Sequence, residues 1–327
     1  MLYFLIGAAL FFDFLNGFHD SSNIVATVIS SRALRPRIAL YLTGVAEFSA
    51  PFIFGVAVAT TVGKDLIEPS AVNQEVIIAA VLSAIMWNIL TWFIGIPSSS
   101  SHALVGGMLG AAILVEGVGV VQLPGLIKIL VALFISPPLG LITGYILMNV
   151  ILRLFQDATP RINMVFKRMQ ILTSIGLALS HGTNDSQKTM GIITLGLVAA
   201  GYQKTFQVPV WVIAASAGSI ALGAALGGWR LISTLGGKIF KIRPVHAITS
   251  QMASASVILS AALLGGPVST TQVVSSAIMG AGAAERVSKV HWMVARDMIY
   301  TWVFTIPATG ISAALIYLLV HHFIASS

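Results

Sequence analysis

Gly95-Ile96-Pro97-Ser98-Ser99-Ser100-Ser101-His102 recurs 170 residues later as Gly265-Gly266-Pro267-Val268-Ser269-Thr270-Thr271-Gln272. A second pair keeps the same order and nearly the same offset. Asn16-Gly17-Phe18-His19-Asp20-Ser21 recurs 165 residues later as His181-Gly182-Thr183-Asn184-Asp185-Ser186. Two matches in the same order at nearly equal offsets mark an internal duplication. Each half then reads alike: a helix broken at the Gly-Asp motif, a plain spanning helix, two apolar arms joined by the Pro-Ser motif, and a long final helix. The first repeat is expected over 1–152, a cytoplasmic linker over 153–168 and the second repeat over 169–327.

Composition fixes the solvent. Hydrophobic types make up 57% of the 327 residues and charged types only 9%, with mean hydropathy +0.93. A soluble domain carries about 25% charged residues, so this surface is built for a bilayer. A crossing needs about 20 mostly apolar residues. Leu2–Leu15, Ile38–Val62, Val76–Ile94, Ile127–Leu152, Val208–Leu226, Ala247–Leu264 and Met298–Val320 are the candidates. Met1–Leu15 has no basic leader or cleavage site, and Asp13 interrupts it, so it reads as a membrane helix. There are no cysteines, which excludes thiol chemistry.

The arms His102–Glu116 and Gln272–Glu285 are short for a full crossing. Each pair of arms is therefore expected to be a re-entrant hairpin with its tip inside the membrane. Loop charge sets the orientation. With the N-terminus outside and three crossings per half, the cytoplasmic loops hold Arg32, Arg35, Arg37, Arg153, Arg161, Lys167, Arg168, Arg230, Lys238, Lys241, Arg243, Arg286 and Lys289. That is 13 of 18 basic residues, as the positive-inside rule requires. The net charge of +7 is thus explained by orientation, not by nucleic acid. An odd number of crossings inverts the second half. The expected fold is an all-α integral membrane protein of two inverted-topology repeats, the architecture of secondary transporters.

The chemistry gathers at the motifs. Backbone groups freed in lipid cost several kcal/mol each, so breaks at membrane depth need partners in a polar site. Ser99, Ser100 and Ser101, with Ser269, Thr270, Thr271 and Gln272, open two helices. Free N–H groups and about half a positive charge at a helix start suit an anion. The plain alternative is N-capping, which needs one Ser or Thr; a run of them in both halves exceeds that need. Asp20 and Asp185 are costly in a bilayer, about 2.5–3.5 kcal/mol each. Their oxygen-bearing neighbours Ser21, Asn23, Asn184 and Ser186 suit Na⁺, and an ionisable Asp could instead carry a proton. Lys188 could simply pair with Asp185. Two carboxylates beside a dianion leave roughly two negative units uncompensated after Lys188 and the helix starts, which two co-bound Na⁺ or protons would remove. Accessory roles fall to Lys188, His102, Glu47, Asn88 and Gln251. Glu47 could line the path or pair structurally, and Asn88 and Gln251 could reach the site or bond between helices. His19, His102 and His181 could relay protons.

These motifs carry a family likeness. Gly17-Phe18-His19-Asp20-Ser21-Ser22-Asn23, Gly182-Thr183-Asn184-Asp185-Ser186-Gln187-Lys188, Pro97–Ser101 and Pro267–Thr271 resemble, in order along the chain, the signatures of the PiT family of inorganic phosphate transporters. Gln272 stands where many relatives have His. The resemblance implies symport of phosphate with Na⁺ or H⁺, the substrate lying between the hairpin tips and the Gly-Asp motifs. Inorganic phosphate, sodium ions and the bilayer are the expected partners, with a homodimer also expected. No cofactor is expected beyond the co-transported cation, and the site is expected in the cell membrane. Two other classes compete. An intramembrane hydrolase could use Ser101 and His102, but adjacent helical positions do not face each other. An anion channel would not place carboxylates in its path.

Overall fold

The computed structural model describes residues 1–68, 72–95, 98–227 and 242–325. Pro97, and the loop charges Arg230, Lys238 and Lys241, lie outside these residues. Among the described residues the chain is helical. In order the helices are α1 (Leu2–Ser30), α2 (Pro36–Phe54), α3 (Ala57–Lys64), α4 (Gln74–Ile94), α5 (Ser100–Glu116), α6 (Leu123–Leu154), α7 (Ile162–Ala199), α8 (Val210–Leu226), α9 (Pro244–Leu263), α10 (Thr270–Glu285) and α11 (Trp292–Ala325). Helices α1, α2, α4, α6 and most of α11 are long and apolar enough to cross a membrane. Outward faces carry Phe93, Ile142 and Leu315, all exposed, as a lipid-facing surface requires.

Local signals set the boundaries. Helix α4 ends at Gly95, whose φ of +77° suits a residue without Cβ. Helices α5 and α10 begin because Ser99 and Ser269 accept the backbone N–H of His102 and Gln272. The segment from α6 to α7 is short: α6 runs to Leu154 and α7 starts at Ile162.

Two expectations are corrected here. The Gly-Asp motifs do not break their helices. Helix α1 is continuous through Asn16–Ser22, and α7 through His181–Lys188. The glycines serve approach instead. A Cβ on Gly17 would lie 2.1 Å from the Ile220 carbonyl oxygen of α8, and one on Gly182 would lie 2.7 Å from the Glu47 backbone of α2. The plain second helix, expected over Ile38–Val62, is the one interrupted, at Gly55 with φ +81°. Buried Gln187 of α7 fills the gap. It donates to the Gly55 carbonyl at 2.7 Å and accepts from the N–H groups of Val58 and Ala59 at 2.7 and 3.2 Å. The freed backbone groups are thereby satisfied away from water.

Packing between the halves is reciprocal. Helix α1 packs on α8 while α7 packs on α2; α5 packs on α11 while α10 packs on α6; α4 meets α11 while α9 meets α6. Each contact has a counterpart with the halves exchanged. Glycine sets the closest crossings: a Cβ on Gly110 would lie 2.1 Å from the Gly310 carbonyl oxygen, and one on Gly280 would lie 2.0 Å from that of Leu141. Small residues that let backbones touch are the means of association where lipid removes the hydrophobic drive.

Candidate phosphate and cation site

The two hairpin tips meet inside the protein. Ser101 at the start of α5 donates to the Val268 carbonyl of the other tip at 2.9 Å. Lys188 of α7 reaches across both, donating to Ser101 Oγ at 2.6 Å and to the Val268 carbonyl at 3.1 Å. Lys188 also donates to Asp185 Oδ1. All four residues are buried.

Continuous helices α1 and α7 present their carboxylates to the second tip. Thr270 Oγ1 lies 3.0 Å from Asp185 Oδ2 and 3.4 Å from Asp20 Oδ2. Thr271 donates to Asp20 Oδ1 at 2.9 Å. Asn23, one turn beyond Asp20, donates to Asp20 Oδ1 at 3.0 Å and to Thr271 Oγ1 at 2.8 Å. Asn16 donates to Asp185 Oδ2 at 3.3 Å. His181 stands between the acids. Its Nε2 is 3.2 Å from Asp185 Oδ2 and 3.8 Å from Asp20 Oδ2, and its Nδ1 is 2.7 Å from Glu47 Oε1. These are close charge contacts rather than well-directed hydrogen bonds. Ligand atoms of Asp20, His181 and Asp185 all lie within 4.8 Å of one another, close enough to share one ion.

Other residues singled out from the sequence make contacts of their own around these groups. Ser99 and Ser269 cap their helices, their hydroxyl oxygens accepting the backbone N–H of His102 and Gln272. Asn184 is a splint for the second tip: its amide donates to the Gly266 carbonyl at 3.1 Å and its oxygen accepts from the Val268 N–H at 3.2 Å. Ser21 and Ser186 donate to the carbonyls of Phe18 and Gly182 on their own helices. Ser100 is buried at the first tip. His102 turns its Nδ1 to Ser99 Oγ at 2.7 Å, with Gln272 Nε2 at 3.5 Å. Gln251 bonds between helices, donating to Thr27 Oγ1 and accepting from Thr173 Oγ1. Asn88 lines a separate cavity of about 250 Å³ with His19, Phe18 and Trp92. Glu47 contacts His181. Asn16 and His181 open the two copies of the Gly-Asp motif; Asn16 is assigned no site role from the sequence, and His181 only that of a relay. Both belong to polar stripes at spacings of three and four, a signal present in the sequence.

Two cavities flank the second tip. One of about 530 Å³ is lined by Lys128, Gly266 and Val268. The other, about 710 Å³, is lined by Gln272, Ser276 and Arg296.

The family model described as "Phosphate transporter family" matches residues 16–313. The chain belongs to the phosphate transporter family. It is a phosphate transporter with several membrane-spanning helices, and not an enzyme. Accordingly, Ser101 and His102 do not form a nucleophile and base: Ser101 serves Lys188 and Val268, while His102 serves Ser99. Among its relatives, a Bacillus subtilis (strain 168) protein described as "Probable low-affinity inorganic phosphate transporter" is 43% identical, the match covering 97% of this chain and 96% of that one. A Rhizobium meliloti (strain 1021) protein of the same description is also 43% identical, over 96% and 94%. A solved structure described as "The sodium-dependent phosphate transporter" shares the fold, with TM-score 0.89 and 22% identity over 98% of both chains.

Proposed function

We propose that this family member imports inorganic phosphate by symport with Na⁺ through a central, alternately opened site. The observation that carries the reading is that Thr270 and Thr271, hydroxyl donors suited to an anion, are engaged by Asp20 and Asp185, acceptors suited to a cation. A hydroxyl has one proton to donate. While the carboxylates hold it, the tip offers phosphate little. Na⁺ on Asp20 and Asp185 replaces the hydroxyls as the carboxylates' partner and releases Thr270 and Thr271 toward the anion. Cation and anion then bind together because they compete for nothing and neutralise each other. An anion beside two unneutralised carboxylates in low dielectric is repelled by several kcal/mol at least.

In this reading Ser100, Ser101, Thr270, Thr271 and Gln272 contact phosphate with the N–H groups opening α5 and α10. Lys188 contributes a fixed positive charge. Asp20 and Asp185 are the cation ligands, with Asn23 beside the first. The cavities lined by Lys128 and by Gln272 are the approaches from the two sides of the tip. The reciprocal packing supports a two-fold, inverted relation of the repeats 1–152 and 169–327 about this site. The solved relative is described as sodium-dependent, which favours Na⁺ over H⁺. The protein is placed in the plasma membrane with its N-terminus outside, as loop charge suggests, and a homodimer is its proposed assembly.

Uptake of labelled phosphate into proteoliposomes, with Na⁺ and pH gradients imposed separately, tests the proposal. Accumulation driven by Na⁺ at fixed pH is expected. Accumulation driven only by a pH gradient overturns the sodium assignment, and accumulation driven by neither overturns symport.

A further inference from the structure

A further buried carboxylate lies outside the cluster just described. Asp13 is on α1, two turns before Asp20, and is 0% exposed. Among the described residues, neither of its carboxylate oxygens receives a well-aligned hydrogen bond. The buried Thr189 hydroxyl of α7 is its nearest hydrogen-bonding group, in a contact too poorly aligned for a full bond, and among the described residues it has no other partner. Asn16, one turn along α1, contributes a third such group: its Oδ1 has no partner, while its amide is committed to Asp185. Asp13 thus has the Thr189 hydroxyl across from it and Asn16 one turn along its own helix, each with an oxygen that lacks a well-made hydrogen bond among the described residues, and an orphaned buried polar atom costs about 1–3 kcal/mol.

Among the described residues the positive group within reach of Asp13 is Lys188, and it is already committed elsewhere. On α7, Lys188 is held by Asp185, Ser101 and Val268, and His181 stands between Glu47 and Asp185. Glu47 on α2 and Asp185 on α7 face Asp13 as further negative groups. On α1 itself, His19 and Asp20 belong to the core cluster. Helix α8 has no titratable side chain. The nearest acid of α4, Glu75, is at that helix's far end with His321, and His246 of α9 and Glu285 of α10 pair with each other.

We propose that Asp13 is a proton-binding site, distinct from the Thr270 cluster, whose occupancy is sensed at Asp185 through Asn16. A proton fits where a metal cation does not. Hard cations gather about six oxygens. Asp13, Asn16 and Thr189 present four side-chain oxygens between them, and α1 and α7 are continuous here, so their carbonyls are spent on their own helices. A proton taken from water needs one acceptor once it is on the carboxyl, and Thr189 Oγ1 or Asn16 Oδ1 supplies it. A neutral Asp13 removes a negative charge from behind Asp185. A charged one polarises Asn16 and disfavours the cluster's filling by an anion. The transport consequence rests on the reading of the chain as a cation-coupled phosphate carrier; the protonation itself does not.

Infrared spectroscopy of the reconstituted full chain tests it. A protonated-carboxyl band at near-neutral pH is expected in the wild type and absent from Asp13→Asn. Thr189→Val should shift that band by removing an acceptor, so a variant that retains the Asp13 side chain also reports. No band sensitive to either substitution overturns the proposal. So does loss of the band on adding Na⁺ at fixed pH, which would mark the site as a sodium site. In proteoliposomes at saturating Na⁺, the ratio of phosphate uptake at acidic to neutral pH should fall toward one in Asp13→Asn. An unchanged pH profile in that variant overturns the link to Asp185. If the wild type shows no phosphate uptake at all, the transport reading fails while the band still decides the protonation.

Discussion

The Thr270 hydroxyl lies 3.0 Å from Asp185 Oδ2 and 3.4 Å from Asp20 Oδ2, so one side chain of the second hairpin touches the acids of both halves. Thr270 belongs to α10, Asp20 to α1 and Asp185 to α7. No segment of the chain could place these three groups together without the crossing of the two halves. A single hydroxyl also cannot donate to both acids at once, so this contact is a choice between them.

Thr270→Val removes that choice while keeping the shape. Phosphate uptake should fall at least about tenfold, equivalent to about 1.4 kcal/mol. The half-saturating Na⁺ concentration should change less than that for phosphate. A selective change in the sodium value would move Thr270 from the anion side of the site to the cation side.

Asp20→Asn should abolish Na⁺-driven uptake and leave the protein folded, because Asn can still accept from Thr271. Size-exclusion profiles and thermal unfolding in detergent would report the fold, and proteoliposomes the uptake. Wild-type uptake in this variant contradicts the cation assignment.

Lys188→Met strands Asp185 without its charge partner and unties Ser101 from the second tip. Removing one member of a buried pair costs about 3–5 kcal/mol. The midpoint of thermal unfolding should drop accordingly. Adding Asp185→Asn should recover much of the stability but none of the uptake, which separates charge balance from transport.

Gln187→Leu exposes the gap at Gly55 by deleting three buried hydrogen bonds. With about 1–3 kcal/mol for each backbone group left without a partner, this residue should be among the least replaceable in α7. Yield of folded protein and its unfolding midpoint measure the effect.

Gly110→Leu and Gly280→Val should each be destabilising, by about 1–3 kcal/mol or more for overpacking, since backbone lies within 2.1 and 2.0 Å of the added Cβ. Gly119→Ala is the control, with nothing within 4 Å.

Much of this was legible in the sequence. The duplicated Pro-Ser motif foretold two helix starts, and the structure brings Ser101 and Val268 into contact at them. The membrane class followed from charge content alone. The Gly-Asp motif misled because glycine signals two things in a membrane helix, a break or a close crossing, and the local sequence does not say which. The spacing did contain the answer. Asp13, Asn16, Asp20, Asn23 and Thr27 follow one another at three and four residues, the period of an unbroken helix with one polar face. The break at Gly55 was hidden because its remedy, Gln187, is 132 residues away in the chain. Ser99 and Ser269 show the limit of composition: a run of hydroxyls signals a site, yet in both runs one hydroxyl is spent on the helix end.

The exchange of α5 onto α11 and α10 onto α6 also bears on biogenesis. When the ribosome has finished the N-terminal half, the glycine face of α5 has no α11 to receive it, and α6 is still waiting for α10. Arm α5 must therefore wait for the last helix, whereas α10 emerges to find α6 already made. A chain truncated before Trp292 would retain the α10–α6 crossing but leave the glycine face of α5 without the helix that covers it.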